Sequence, residues 1–116
     1  MKVQTEKGVI SISGEVFTNI TGAAAVNCYG VKGMAIRSTT DGLVHLLRRE
    51  SMAKGVRVIP NEDGSISLEL HIIVENGVNL LAVSRAIQGE VKYNVSRNTG
   101  VEVRNVDVYL DSMVVG

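Results

Sequence analysis

Residues 55–74 read GVRVIPNEDGSISLELHIIV, and this stretch predicts a β-hairpin. Runs rich in Val, Ile and Leu that alternate with polar residues are typical of strands, and here they cover Val56–Pro60 and Ser65–Val74. Between them lies Asn61-Glu62-Asp63-Gly64, whose residue types favour a tight turn with Gly64 in the left-handed conformation. The hairpin is therefore the first fixed point of the fold.

The length of the turn decides which residues of the two strands face each other. A two-residue turn at Asp63-Gly64 would set the apolar Val58 against the charged Glu69. A three-residue turn, residues 62–64, instead keeps the apolar residues together on one face. We therefore predict that Val56 faces Leu70 and Val58 faces Leu68, with Arg57 and Glu69 paired on the other face.

Glycine followed by valine recurs at nearly even intervals, at Gly8-Val9, Gly30-Val31, Gly55-Val56, Gly77-Val78 and Gly100-Val101. Glycine enters the left-handed conformation that ends a helix without a Cβ penalty, and valine favours strands. At Gly30, Gly55 and Gly100 a helix-like stretch ends and a β-branched run begins. The pattern predicts alternating helices and strands.

Three stretches have the apolar spacing of amphipathic helices. The first begins after Ser13 as N-cap and ends at Gly30, and Gly22 within it indicates a close approach to the sheet. The second is shorter, begins at Thr40 or Asp41, ends at Gly55 and carries Leu43, Val44, Leu46 and Leu47. The third begins after Asn79, ends at Gly100 and has a buried stripe of Leu80, Val83, Ile87, Val91 and Val95.

The elements follow the order β-α-β-α-β-β-α-β, which predicts an α+β fold with a single mixed sheet of about five strands. Three helices are expected to pack mainly on one face of that sheet. The first strand is Gly8–Ser13. In the last strand the alternation changes phase near Arg104-Asn105, which indicates either a β-bulge there or that Val101 belongs to the turn. No linker divides the chain, so residues 1–116 are expected to form one domain.

The charge balance argues against a dedicated nucleic-acid-binding protein, because 12 Lys and Arg are matched by 12 Asp and Glu. A lone cysteine, Cys28, rules out an internal disulfide and fits a reducing compartment. The polar first residues show no secretion signal, and no apolar run approaches the ~20 residues needed to cross a bilayer. We expect a soluble, cytoplasmic protein without direct membrane insertion.

Four basic residues fall within ten positions and are our candidate binding residues: Arg48, Arg49, Lys54 and Arg57. Their ligand would be a phosphate, an acidic lipid headgroup or an acidic segment of a partner. A structural interpretation competes with this one, because cations stabilise helix C-termini and Arg57 would pair with Glu69. The binding interpretation defines an alternative function, that of a small anion- or nucleic-acid-binding module.

No other pattern indicates a catalytic, metal or cofactor site. Residues 30–33, GVKG, spell the Gly-x-x-Gly loop of single-stranded nucleic-acid modules, but that loop joins two helices and here a strand follows. His45 and His71 have no further ligands at the spacing of a metal site. Cys28 falls on the apolar face of its helix, where a thiol is inert. We expect a protein that is not an enzyme.

Short segments, in order along nearly the whole chain, resemble the alkaline shock protein family of Gram-positive bacteria, also called envelope stress response proteins. They are Gly8–Ile12, Ile20–Ala25, Gly30–Met34, Lys54–Val58, Gly77-Val78, Ile87-Gln88 with Val91, and Thr99–Val103. The resemblance is to the short, single-domain members, because the charged C-terminal extension of the longer ones has no counterpart here. Where many members begin the first helix with a proline-containing sequence, this chain has Ser13-Gly14.

This resemblance implies a cytoplasmic, non-enzymatic protein of cell-envelope homeostasis and the stress response. It also implies self-association and docking to a membrane-embedded protein partner that holds the protein near the membrane. It supplies no catalytic residue, metal or cofactor.

Overall fold

The computed structural model describes residues 2–5, 8–37, 43–47 and 49–115, which form seven strands, two α-helices and one 3₁₀ helix. The strands are β1 Lys2–Thr5, β2 Gly8–Ser11, β3 Val31–Arg37, β4 Val44–Leu46, β5 Val56–Pro60, β6 Ile66–Glu75 and β7 Val103–Val114. Helix α1 is Gly14–Val26, helix α2 is Leu80–Thr99, and the 3₁₀ helix is Arg49–Gly55.

Strand β6 is the centre of a five-stranded mixed sheet. Strand β7 runs parallel to it along its whole length, from the pair Ile66↔Val103 to the pair Glu75↔Val114. The other edge of β6 is shared, since β5 pairs antiparallel with its first half and β3 with its second half. Strand β4 extends the sheet beyond β3. The α+β class and the sheet of five strands are confirmed.

The predicted hairpin register is confirmed pair by pair. Strands β5 and β6 place Val56 opposite Leu70, Val58 opposite Leu68 and Arg57 opposite Glu69. In the turn, Gly64 has a φ of +87°, which residues with a Cβ rarely adopt. Oδ1 of Asp63 accepts hydrogen bonds from Oγ (2.6 Å) and N (3.0 Å) of Ser65, and these bonds lower the pKa of the Asp63 carboxyl.

The core lies on one face of the sheet, which we call the helix face. It contains the even-numbered residues of β6, Ile66, Leu68, Leu70, Ile72 and Val74, all buried. Both helices contribute to the same cluster: α1 through Phe17, Ala24 and Ala25, α2 through Val83, Ile87, Val91 and Val95. Since successive strand residues point to opposite faces, α1 and α2 cover the same side. The predicted stripe of α2 is confirmed at four positions, whereas Leu80 is exposed.

The N-termini of both α-helices and the C-terminus of α2 follow the predicted capping chemistry. Oγ of Ser13 accepts a hydrogen bond from N of Glu15, and Oδ1 of Asn79 accepts one from N of Ala82. Gly100 (φ +74°) is the left-handed C-cap of α2, as predicted. The predicted end of α1 at Gly30 is wrong, because α1 ends at Val26 with Asn27 as its C-cap; Gly30 (φ +86°) is left-handed in the turn before β3.

The prediction of three helices is wrong: the described residues contain two α-helices, and the segment expected to be the second helix begins with strand β4. Residues Val44–Leu46 pair antiparallel with Ala35–Arg37 of β3. An apolar run this short is compatible with the spacing of a helix and with that of a strand. It forms a strand because the open edge of β3 provides backbone hydrogen-bond partners. The predicted caps Thr40 and Asp41 lie outside the described residues.

Gly55 ends the 3₁₀ helix, but not by the left-handed conformation that was expected. Its φ is not positive, and a Cβ at this position would lie 2.9 Å from the carbonyl oxygen of Ala35. Glycine is thus required at position 55 because two backbone segments approach each other closely. Gly22 also lies at a close approach, but its neighbour is the side chain of Met52 in the 3₁₀ helix rather than the sheet.

The place predicted for the strand at Gly8–Ser13 is wrong, whereas the prediction for the last strand is confirmed. Strand β2 pairs with β1 in a separate two-stranded hairpin instead of joining the main sheet. In β7 the predicted bulge is confirmed, because the register steps from Ile66↔Val103 to Ser67↔Asn105 and leaves Arg104 as the extra residue. Val101 lies outside β7, in the connection from α2, so the second alternative, that Val101 does not belong to the strand, also holds. A second bulge leaves Asp111 unpaired between Leu110 and Ser112.

Two glycines of α2 provide a matched test of its C-terminus. We predict that Gly100→Ala lowers the free energy of unfolding by about 1 kcal/mol, because a Cβ is strained in the left-handed conformation. Gly89→Ala should raise it by up to about 1 kcal/mol, because Gly89 lies inside α2 and a Cβ there would meet no atom within 4 Å. Urea unfolding followed by circular dichroism measures both changes, and equal effects of the two substitutions would contradict the left-handed cap.

Candidate functional site

Two of the four candidate basic residues line one cleft of about 370 Å³. Lys54 and Arg57 lie there beside Glu69, His71 and Asp111. Nη1 of Arg57 is 3.8 Å from Oε2 of Glu69, which is the predicted cross-strand ion pair. Because Arg57 is 74% exposed, this pair contributes little to stability, on the order of 0–1 kcal/mol. Arg57 nevertheless has a carboxylate neighbour before any ligand arrives.

The other two candidates are not placed in the cleft by the structure. Arg48 lies outside the described residues, and only the backbone of Arg49 is described, at the start of the 3₁₀ helix. Anion binding by Arg48, Arg49, Lys54 and Arg57 therefore stays a prediction.

His71 has two partners on β7 that the sequence did not reveal. Its Nδ1 is 3.1 Å from Oδ1 of Asp111, and its ring stacks on Tyr109 with centroids 4.9 Å apart and planes 15° apart. A carboxylate only accepts hydrogen bonds, so Nδ1 of His71 carries the proton of this one. The contact forms because the parallel pairing of β6 and β7 sets His71 opposite Tyr109. Asp111 is 40 positions away from His71 in the chain, and no local sequence pattern predicts a contact between them.

Asp111 is a charged residue turned inward at the second bulge of β7. Its side chain is only 9% exposed, and the buried Oδ2 has no hydrogen-bond partner among the described residues. A buried carboxylate oxygen without a donor is costly, so the bulge holds Asp111 in place at the expense of stability. Bulges and inward-pointing charges are two ways in which proteins interrupt the pairing capacity of an edge strand.

The described residues contain no group of three or more His, Cys, Asp or Glu side chains that could hold a metal ion. His45 is exposed on β4. Gly33 lies inside β3, so residues 30–33 do not form the helix-joining loop of nucleic-acid modules. Neither of the described α-helices has the length and apolar character needed to span a membrane.

The thiol of Cys28 is buried just after the end of α1. Its Sγ–H donates to the carbonyl oxygen of Ala24 at 3.5 Å. Burial, and secondarily the negative charge of Glu90, raise the pKa of the Cys28 thiol above its ordinary value of 9.0. Reactive cysteines have a lowered pKa and access to solvent, so this environment supports the expected inert thiol.

Apolar side chains reach the surface along β7. Tyr109, Leu110 and Met113 are 44%, 39% and 45% exposed. Among the described strands β7 pairs with β6 alone, so its outer edge has no strand beside it. We call this outer edge, with Tyr109, Leu110 and Met113, the β7 edge surface. A small groove of about 150 Å³ between α2 and β7, lined in part by Leu80 and Leu110, continues it on the helix face. Edges of this kind can pair with another chain.

Comparison with known proteins gives one family. Residues 2–115 match the sequence model of the alkaline shock protein 23 family, which is described as having a "cell envelope-related function". The chain is 37% identical over 114 residues to "Uncharacterized protein YloU" of Bacillus subtilis (strain 168), which covers 97% of this chain and 94% of that protein. It is 35% identical over 116 residues to "Uncharacterized protein Spy1614" of Streptococcus pyogenes serotype M6, which covers 99% and 95%. No solved structure gives a significant match.

Thiol chemistry tests the environment of Cys28. We predict that Ellman's reagent labels the native protein at neutral pH at least a hundredfold more slowly than the urea-unfolded protein, because the native thiol is buried and protonated. Absorbance of the released thionitrobenzoate measures the rate. Equal labelling rates in the native and unfolded protein would contradict the buried thiol.

Proposed function

Because the chain belongs to the alkaline shock protein family, whose function is cell envelope-related, we propose a non-enzymatic role in cell-envelope homeostasis and the stress response. The protein acts in the cytoplasm through self-association and by docking to a membrane-linked protein partner. It acts through its binding surfaces, and it needs no cofactor.

The β7 edge surface is the observation that carries this proposal. Natural edge strands are usually short or interrupted. The 12-residue β7 is interrupted at its two bulges, but it still exposes the side chains of Tyr109, Leu110 and Met113. The zero formal net charge of the chain leaves little long-range repulsion between two copies. Exposed backbone groups beside apolar side chains provide both hydrogen bonds and burial to an incoming strand.

Docking to a membrane-linked partner is supported by the cell envelope-related description of the family. The first structural contact we assign is nevertheless between copies of this chain, because the β7 edge surface needs only another strand.

Self-association is tested by sedimentation velocity over a range of protein concentrations. We predict that the wild-type protein self-associates and that Leu110→Lys weakens association at least tenfold, because a charge then replaces an apolar residue of the β7 edge surface. Tyr29→Lys is the matched control, since Tyr29 is 90% exposed and lies in the turn before β3. That variant should associate like the wild type. A wild-type protein that stays monomeric at high concentration would overturn the proposal.

Membrane attachment is tested separately by fractionation of the native cells. We predict that part of the protein sediments with membranes and is released when exposed membrane proteins are digested by protease. Protein-free vesicles of anionic phospholipid should not bind the purified protein. Salt-sensitive binding to such vesicles, abolished by Lys54→Ala and Arg57→Ala together, would instead favour the alternative anion-binding function.

A further inference from the structure

We propose that two copies of this chain join their β7 edges antiparallel about a two-fold axis at Val108, so that their sheets become one. This inference rests on the proposed self-association and specifies its surface, its orientation and its register. Four features of β7 lead to it.

The backbone direction of β7 follows from hydrogen bonds at the two ends of its pairing with β6. N of Ile66 donates to O of Glu102, and N of Asn76 donates to O of Val114, so the even-numbered residues of β6 direct their backbone groups towards β7. In a parallel pair of strands, a β7 residue that lies opposite one of these β6 residues directs its own N–H and C=O groups away from β6. Those opposite Leu68, Leu70 and Ile72 are Val106, Val108 and Leu110. These three therefore present N–H and C=O groups at the outer edge.

Gln88 of α2 supports this assignment. Its Nε2 donates to the carbonyl oxygen of Val106 at 3.1 Å, a bond from a helix side chain to a carbonyl that β6 does not use. A carbonyl oxygen has two lone pairs, so the Val106 oxygen retains an acceptor site for a second donor.

Two bulges limit where an incoming strand can pair. Arg104 and Asp111 are the extra residues, and the regular stretch between them is Asn105–Leu110. Outside this stretch the strand is kinked and its backbone groups lose their even alternation. A second copy carries the same regular stretch, so two copies can pair within their bulges over five of its six residues, whereas a longer pairing would meet a bulge.

Side-chain direction excludes half of the antiparallel registers. Opposed residues in a sheet point to the same face, so a one-residue shift would set helix-face residues against residues of the opposite face. A register with Val108 at the axis sets Val106 against Leu110 of the second copy, both on the helix face. It also joins Val106, Val108 and Leu110, the three residues whose backbone groups face outward.

Charge decides between this register and its neighbours. With the axis at Asp107, two Asp107 carboxylates would face each other, and like charges directly opposite are destabilising. With the axis at Tyr109, Asp107 would oppose Asp111 of the second copy at its bulge. With the axis at Val108, Asp107 faces the aromatic Tyr109 of the second copy. Of these three registers, only the one with the axis at Val108 brings no two carboxylates into opposition, and it pairs Val106–Leu110 of each copy within the regular stretch.

Cysteine substitution tests the register directly, because only the residue at the two-fold axis lies opposite the same residue of the second copy. In a Cys28→Ala background, we predict that Val108→Cys forms a disulfide-linked dimer under oxidised glutathione. Opposed Cα atoms lie about 5.5 Å apart in a hydrogen-bonded antiparallel pair, within disulfide range. Asp107→Cys and Tyr109→Cys are the matched controls, since their Cα atoms would lie roughly 8 Å from their own copies. Non-reducing electrophoresis should show at least tenfold faster cross-linking for Val108→Cys.

The outcomes separate this inference from the proposal on which it rests. Preferential cross-linking of Asp107→Cys or Tyr109→Cys would overturn the register, and absence of cross-linking in all three variants of an associating protein would overturn the β7 interface. Self-association itself would stand in both cases. A monomeric wild-type protein in sedimentation velocity would overturn both proposals.

A charge exchange gives a second test that needs no cysteine. Tyr109→Asp sets a new carboxylate against Asp107 of the second copy, twice per dimer, and should weaken association at least tenfold. Adding Asp107→Lys should restore association, because Lys then faces Asp across the axis. Since Tyr109 also stacks on His71, the single and double variants share any loss of fold stability. Failure of the double variant to recover, with both variants folded by circular dichroism, would contradict the register.

Discussion

Pairing at both edges of strand β6 is the constraint on which the rest of the structure depends. One edge is bonded to β7 along its length and the other to β5 and then to β3. Its even-numbered side chains are buried under α1 and α2, so a shift by one residue would expose the core and bury Glu69 and His71 there. The register of β6 thereby fixes the positions of three other strands and of the two helices.

The features that local chemistry determines could be predicted from the sequence. The pairing of Val58 with Leu68 follows from alternation and turn length, and the ends of α2 follow from Asn79 and Gly100. Contacts between distant segments could not be predicted in this way. Strand β4 exists because β3 offers a free edge, and the contact of His71 with Asp111 exists because β6 and β7 lie in parallel. The β7 edge surface could not be located from the sequence for the same reason, because which strand lies at an edge is a property of the assembled sheet.

The contrast between β6 and β7 connects the fold to the proposed function. Strand β6 pairs with other strands at both of its edges, whereas β7 pairs with β6 at one edge and with no described strand at the other. Two bulges and the buried Asp111 interrupt that outer edge, and the stretch between them keeps apolar side chains and outward backbone groups. A restricted edge favours defined pairing over open-ended aggregation, because a strand can join only where the ladder is regular. The chain belongs to a cell envelope-related family, and assembly is the role that we propose for it there.

Amide hydrogen exchange measured at several protein concentrations tests the central claim most directly, because it reports on each backbone N–H of the native chain. We predict that the amides of Val106, Val108 and Leu110 exchange quickly in dilute protein and become protected as concentration rises. The amides of β6 should be protected at every concentration. Exchange at Val106, Val108 and Leu110 that does not change with concentration, in a protein that self-associates, would contradict assembly through the outer edge of β7.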